Sequence, residues 1–573
     1  MSSINGVSSK PYVLDLQYRG FIEGVTLTSD IDSTELCHFF GGIPDSHSTQ
    51  YGLPPIGPFR WRRPRPLPPC YRYGTRANPG KFTGGTATCP QPRAAKSELA
   101  LEVRDEDCLQ LNVWLPVGEP PEGGWPVIFY IRTNSSFKPK ENFLPLTCCS
   151  DGGFLQFGDP NDLDVSKLLS ETDCRCIFVM PAYRLNVFGF LASRELLRES
   201  GAGCEVGNLG FWDQRLALEW AWKNIDYFGG NPKNIAVAGY SAGMLSRRSS
   251  YSTFMQLQYD LFLPDQKSII RRAIMWSNGP GVQPKSLLEA QEQFDELLQV
   301  LGISLDITEP EKLSKLRQIP SSQLVEATFA MKIHQFRAVT DGEFVRPSLF
   351  EDIDRGEFAT RMRKRGVQLM MGECKDEHFV YGEWRPPEDS FQGLYDRLQA
   401  DYPRAACDAL VKHFYPNGQL PSRSRDWCEE FGRIYADIQI HAMERGLANA
   451  LDRFGAGDLV YRYRVEWRAK CVALPPEWGV THTSDLAIWF WGDKAQLEDE
   501  EKTIAYESFV HPLSQFITGR VVSWGTQNVC QSRTLKADGS VEILDDADWE
   551  RSLAIWRCLQ AAGAAFAPIK GRL

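Results

Sequence analysis

The chain has 573 residues, 43% of them hydrophobic and 24% charged, with a formal net charge of −10. That balance is globular, and its acidic sign argues against nucleic acid or an anionic membrane as partner. No apolar run approaches the roughly 20 residues that cross a bilayer, and the 15 cysteines are scattered, without a CxxC or the Cys/His spacing of a metal site.

The stretch from Met1 to Lys10 carries no apolar signal core, so the expectation is a cytoplasmic protein with no metal and no cofactor. An odd cysteine count leaves at least one free thiol. The length exceeds that of a usual domain, but large α/β enzymes form one extended unit, and a single domain over 1–573 is expected.

Residues 11–40 alternate apolar and polar through Tyr12–Leu16 and Phe21–Leu27, which predicts the paired strands of a meander. The Pro/Arg-rich stretch 53–61 reads as a surface wrap. The second half of Glu106–Pro116 alternates like a strand, and Trp125–Ile131 and Cys176–Met180 are continuous apolar runs, as in strands buried on both faces. A helix is predicted over Trp212–Phe228, ending at Gly229-Gly230. Strands alternating with such helices imply a largely parallel sheet.

At Asn234-Ile-Ala-Val-Ala-Gly-Tyr-Ser-Ala-Gly243 an apolar strand runs straight into G-x-S-x-G. Small residues flank the serine because the turn is tight, and the strain exposes the hydroxyl to a base. Further strands are predicted at Ile269–Asn278 and Val367–Met371. Helices are expected over 284–330, with Phe294, Leu297, Leu298 and Leu301 on one face, and over 388–455. The aromatic run Ala487–Trp491 is either packed core or pocket lining, and Leu497–Glu501 reads as a solvated acidic face.

Glu106-Asp-Cys-Leu-Gln-Leu-Asn-Val-Trp114 resembles one signature of the type-B carboxylesterase/lipase family, the cholinesterase-like hydrolases including fungal-type esterases. The second signature is matched by Gly207–Leu218, Asn224–Pro232 and the serine turn, and Ala182–Leu191 is similar as well. The likeness runs from about residue 20 to the C-terminus. It implies an α/β-hydrolase fold, a large mixed, mostly parallel central sheet flanked by helices with helical cap insertions. It also implies a disulfide between Cys89 and Cys108.

A nucleophilic serine needs a base, and the base needs an orienting carboxylate, in the chain order Ser, Asp or Glu, His. Of the 8 histidines, His482 in Gly479-Val-Thr-His-Thr-Ser-Asp-Leu486 resembles the family's histidine loop. The acid is assigned to Glu377 in Gly372-Glu-Cys-Lys-Asp-Glu-His-Phe379, with Asp376 and Glu373 as competitors. His378 stands where the family usually has glycine. The oxyanion donors are expected from the Ala242 amide and from Gly152 and Gly153.

That second loop departs from the family. After Ile131, about twenty residues, 132–151, precede Gly152-Gly-Phe, and they show neither periodicity nor family resemblance. The segment reads as a translated intron. With Arg132 encoded CGT, Ser150 TCA and Asp151 GAC, the insert begins GT and ends AG, and its removal yields Ile-His-Gly-Gly-Phe. Met244–Ser250 interrupts the helix after the serine and reads as a smaller error of the same kind. The overall expectation is a serine hydrolase acting on a small-molecule carboxylic ester or lactone. The alternatives are a relative recruited to non-hydrolytic biosynthetic chemistry and a silent binding scaffold.

Overall fold

The structure is a computed structural model and describes residues 6–42, 50–91, 104–131, 159–201, 207–241, 250–383, 386–493 and 495–563. The strands are β1 (Val7–Asp15), β2 (Phe21–Ser29), β3 (Glu35–Phe40), the two-residue β4 (Gly52–Leu53), β5 (Arg65–Pro66) and β6 (Gly80–Lys81), β7 (Leu111–Pro116), β8 (Trp125–Ile131), β9 (Ile177–Pro181), β10 (Gly230–Tyr240), β11 (Ile270–Trp276), β12 (Gln368–Cys374), β13 (Val460–Val465), β14 (Gln531–Leu535) and β15 (Val541–Asp545). One sheet takes them in the order β1-β2-β3-β7-β9-β8-β10-β11-β12-β13-β14-β15, with β6 beside β2 and β4-β5 apart. From β9 to β14 along that order the neighbours are parallel, whereas β1, β2, β3, β7 and β15 pair antiparallel.

The centre of the sheet is apolar in unbroken runs because both faces are covered. Along β8, Val127, Phe129 and Ile131 enter one core cluster while Ile128 and Tyr130 enter the other, the two-residue alternation of a pleated strand. Helix Leu209–Asn224 packs Leu209, Phe211, Ala217 and Leu218 into the first cluster. It starts three residues earlier than the periodicity predicts and gives way to a 3-10 turn at Ile225–Phe228 before Gly229, at φ 77°, ends it. The helices expected over 284–330 and 388–455 are present as several short ones.

Packing settles three readings. Trp489, Phe490 and Trp491 are core, with Phe490 against Tyr130 and Trp276. The acidic run is solvated at Glu498, Asp499 and Glu500, as expected, but it also begins a helix: Glu498 and Glu501 form the capping box, and Glu501 is buried, accepting the Lys470 amide. The Pro/Arg-rich wrap is buried at its end, where Trp61 donates to the Val187 carbonyl (2.7 Å) and Arg60 pairs with Glu106 and donates to Ile319 O (2.8 Å). Cys89 and Cys108 are both buried free thiols, not the implied disulfide.

The two family-like segments Ala182–Leu191 and Gly207–Leu218 meet in one buried ion pair. Arg184 Nε and Nη2 donate to Asp213 Oδ2 and Oδ1 at 2.8 and 2.7 Å, and the Arg184 amide donates to Oδ2 at 3.0 Å. The glycines around the pair are there for access: a Cβ on Gly189 or Gly210 would lie 2.2 or 2.5 Å from the Arg184 carbonyl oxygen. Arg184→Met strands the Asp213 carboxylate, so it is expected to lower unfolding stability by about 3–5 kcal/mol, read by chemical denaturation. An unchanged midpoint would refute this role for the pair.

Candidate active site

Three loops at the carboxyl ends of β10, β12 and β13 carry the groups that matter. β10 sits beside β8 with β9 beyond it, while β11, β12 and β13 follow on its other side. The order in which strands are added therefore reverses at the β8–β10 boundary, although the two strands are parallel, and open α/β sheets bind ligands at such a crevice.

Ser241 follows β10 directly. Its φ is 64°, a left-handed conformation for a side-chain-bearing residue, which costs roughly 1–2 kcal/mol. Its amide donates to the Trp276 carbonyl at the end of β11 (2.7 Å), so the neighbouring strand holds the turn. The Ser241 Oγ is hydrogen-bonded to His482 Nε2, and His482 Nδ1 to Glu377 Oε2; all three side chains are buried. Glu377 is fixed in turn, because its Oε1 accepts the Cys374 amide at 2.7 Å.

The competing carboxylates are engaged elsewhere. Asp376 accepts the Val480 amide at 3.0 Å and so ties the acid loop to the histidine loop. Glu373 meets Arg445 (2.7 and 2.9 Å), His441 Nδ1 (2.5 Å) and Arg464. Burial opposes ionisation of Glu373, but Arg445 and His441 hold it well below the usual carboxylate range. His378, in place of the family's glycine, lies tilted against the Phe379 ring with centroids 4.2 Å apart, and burial pushes its imidazole down to about 4.

A second tier of contacts lies behind the imidazole, and no periodicity or spacing signals it. The Tyr240 hydroxyl, one residue before the serine, donates to Asp485 Oδ1 (2.5 Å) and accepts the Thr483 amide (2.9 Å). Trp489 Nε1 donates to the other Asp485 oxygen at 3.0 Å. The serine strand is thereby bolted to the residues flanking His482. Burial raises the Asp485 carboxyl above its ordinary range. Tyr381 packs on His482 with ring centroids 5.0 Å apart.

The proposed oxyanion donors Gly152, Gly153 and Ala242 lie outside the described residues, as do 132–151 and 244–249. Among the described residues no group of three His, Cys, Asp or Glu could hold a metal ion, and no helix is long and apolar enough to cross a membrane.

A model of the carboxylesterase family matches residues 10–521. The chain belongs to that family. It is an enzyme of the carboxylic ester hydrolase class. It is 44% identical over 565 residues to a carboxylic ester hydrolase of Gibberella moniliformis, covering 97% of each chain. It is 38% identical over 568 residues to an uncharacterized esterase/lipase of Schizosaccharomyces pombe, covering 96% of this chain and 97% of that one. The crystal structure of Aspergillus niger EstA superposes with a TM-score of 0.69 at 21% identity, covering 97% and 99% of the two chains; that likeness bears on the fold, which is the α/β-hydrolase fold expected.

The geometry separates the three acidic side chains by experiment. Glu377→Gln is expected to reduce kcat on the order of 10⁴-fold, because an amide no longer selects the right imidazole tautomer. Glu373→Gln should instead cost about 3–5 kcal/mol of stability, and Asp376→Asn should leave kcat closer to wild type than Glu377→Gln does. Equal losses of kcat in all three variants would overturn the assignment.

Proposed function

We propose that the enzyme hydrolyses a small-molecule carboxylic ester or lactone through an acyl-enzyme formed on Ser241. The observation that carries this is the position of His482, whose two ring nitrogens each meet one partner, a hydroxyl on one side and a carboxylate on the other. Ser241 Oγ attacks the acyl carbonyl while His482 Nε2 takes its proton and then gives it to the leaving alcohol. Water, activated by the same imidazole, releases the acid. Glu377 fixes the tautomer and stabilises the imidazolium. The net charge of −10 suits a small neutral or hydrophobic substrate better than a nucleic acid or anionic membrane.

The oxyanion is assigned to the amides of Ala242, Gly152 and Gly153. Each misplaced donor costs roughly 100- to 1000-fold in rate, so the position of the two glycines relative to β8 decides how active the chain is. We read 132–151 as a translated intron whose removal restores a histidine directly before Gly152. Mature transcript that retains the segment would end that reading.

Two chains test the function: the one written here, and one lacking 132–151 with a histidine in its place. The second is expected to turn over p-nitrophenyl acetate and butyrate at least about 100-fold faster than the first. Ser241→Ala should abolish turnover, and an organophosphonate probe should label Ser241. Labelling at another residue, or turnover surviving Ser241→Ala, would refute the mechanism. Inactivity of both chains would favour a non-hydrolytic role.

A further inference from the structure

A polar cleft lies apart from the triad. The loop that follows β11 supplies Lys285, and the end of helix Phe391–Asp401 supplies Asp401 with Tyr402 beside it. Arg337 joins them, and Gln439 comes from the wide, π-type turn Asp437–His441. The space between these groups is about 340 Å³, part of it open to solvent. The rings of Tyr402, Tyr435, Tyr381 and His482 follow one another with centroids 5.8, 5.2 and 5.0 Å apart, so a packed aromatic row runs from the cleft to the catalytic imidazole.

The charges around the cleft are unevenly matched. Asp401 serves two guanidinium groups: its Oδ1 accepts Arg337 Nε at 2.9 Å and its Oδ2 accepts Arg397 Nη1 at 2.7 Å. Lys285 has no carboxylate within ion-pair distance. Its ammonium donates to the Gln399 and Ala400 carbonyls at 2.9 and 3.1 Å, at a helix C-terminus, where a cation suits the dipole. Two carbonyls occupy two of its three N–H groups, and among the described residues no acceptor meets the third. Burial presses the ammonium toward its neutral form, and Asp401 and Glu289 offset this only in part.

Gln439 is the second, independent observation. It is 2% exposed and lines the cleft, yet its carboxamide makes no hydrogen bond among the described residues. Buried amides are rarely left so, because an unmade hydrogen bond there is costly. Its backbone is fixed, since the Gln439 carbonyl accepts the Gly279 amide at 2.8 Å. Wide turns of this type recur at functional sites. Capping a helix accounts for the two carbonyl bonds of Lys285, but it does not account for an unpartnered amide lining the same cleft. With its N–H2 group inward, Gln439 offers donors alongside the Lys285 ammonium.

We propose that this cleft binds a small carboxylate, held by the Lys285 ammonium and the Gln439 carboxamide. A carboxylate supplies two acceptor oxygens and the negative charge that Lys285 lacks, and a hydrogen bond between ions is among the stronger ones. No bond is made or broken. The carboxylate belongs either to a free acid or to the far end of an ester substrate with a second carboxyl group, and the chemistry at the cleft is the same. The site does not depend on the triad; only the substrate arm of the test rests on the Ser241 reading above.

Isothermal titration calorimetry with acetate tests the binding, in both chains described above, at fixed ionic strength balanced with chloride. Acetamide is the neutral counterpart. Acetate should bind and acetamide should not. Lys285→Gln and Gln439→Glu should each weaken acetate about 10-fold or more, whereas Lys285→Arg should keep most of the affinity. If Lys285→Gln fails to fold, Gln439→Glu, which keeps the shape of the side chain, carries the test. No acetate binding, equal binding of acetamide, competition by chloride as strong as by acetate, or an affinity unmoved in both variants would each overturn the proposal; the last would place the acid elsewhere, such as at Ser241. The second arm compares KM for 4-nitrophenyl hydrogen adipate and for its methyl ester. A lower KM for the acid that disappears in Gln439→Glu assigns the carboxylate to the substrate; equal KM values alongside acetate binding assign it to a free acid. If Ser241→Ala retains turnover, the triad reading fails while the binding result stands.

Discussion

A serine hydroxyl reaches an imidazole in this fold only because the backbone is bent the wrong way at one residue. Ser241 holds a φ of 64° at the end of an eleven-residue strand, and an isolated chain would relax it. What holds it is the sheet. β10 is flanked on both sides by parallel partners, β8 and β11, and the Ser241 amide continues the ladder by donating to Trp276 O. The turn is thus over-determined by the hydrogen bonds before it. Gly239 and Tyr240 are buried within the same ladder, so relaxing the serine would break sheet bonds as well.

The rest of the site follows from that fixed point. Glu377 and His482 come from loops after the next strands outward, β12 and β13, and each loop is pinned to the other by the Asp376 carboxylate on the Val480 amide. The Tyr240–Asp485 bond then ties the histidine loop back to the serine strand. These bonds join groups far apart in sequence, the Tyr240–Asp485 bond buried and the Asp376–Val480 bond partly so, and an unmade hydrogen bond is expensive where it is buried. They close a ring of constraints around the imidazole: strand to serine, serine to histidine, histidine to acid, acid loop to histidine loop, histidine loop to strand. The Arg184–Asp213 pair performs a like service, locking helix Leu209–Asn224 against the segment after β9.

Much of this was legible in the residues. Continuous apolar runs such as Trp125–Ile131 announced strands with two buried faces, and the alternation of Val127 and Ile128 between two core clusters is the physical reason they look unpatterned. The three central side chains were legible because motif context, not composition, singled them out: Glu377 is one of three acids within five residues, and only the fold reveals that Glu373 faces Arg445 while Asp376 faces a backbone amide. What was not legible are contacts with no local signature. Nothing near Tyr381 indicates that its hydroxyl meets an imidazole 101 positions away, and nothing in Ala487–Trp491 distinguishes a core face from a pocket face, since both demand large apolar rings. Arg60 and Trp61 look like loop residues because the proline density around them is high; their burial depends on Glu106 and the Val187 carbonyl, which the chain brings near only on folding.

The pairing of β8 with β10 bears on the anomalous segment after Ile131. In this register Ile131, the last residue of β8, lies opposite Gly239, two residues before the serine. Amide donors for an oxyanion must stand about 3 Å from the carbonyl oxygen bound at Ser241, and a strand ending at that height delivers them with one or two further residues and no long detour. In the proposed Ile-His-Gly-Gly order the glycine pair begins two residues past Ile131, close enough in sequence to meet this requirement. Some twenty intervening residues offer no such economy: in sequence they separate the two glycines from β8, one of the two strands hydrogen-bonded to the serine strand. Under the reading proposed above, a histidine and then Gly152 and Gly153 would follow Ile131 directly, and the β8–β10 register would leave no gap to bridge.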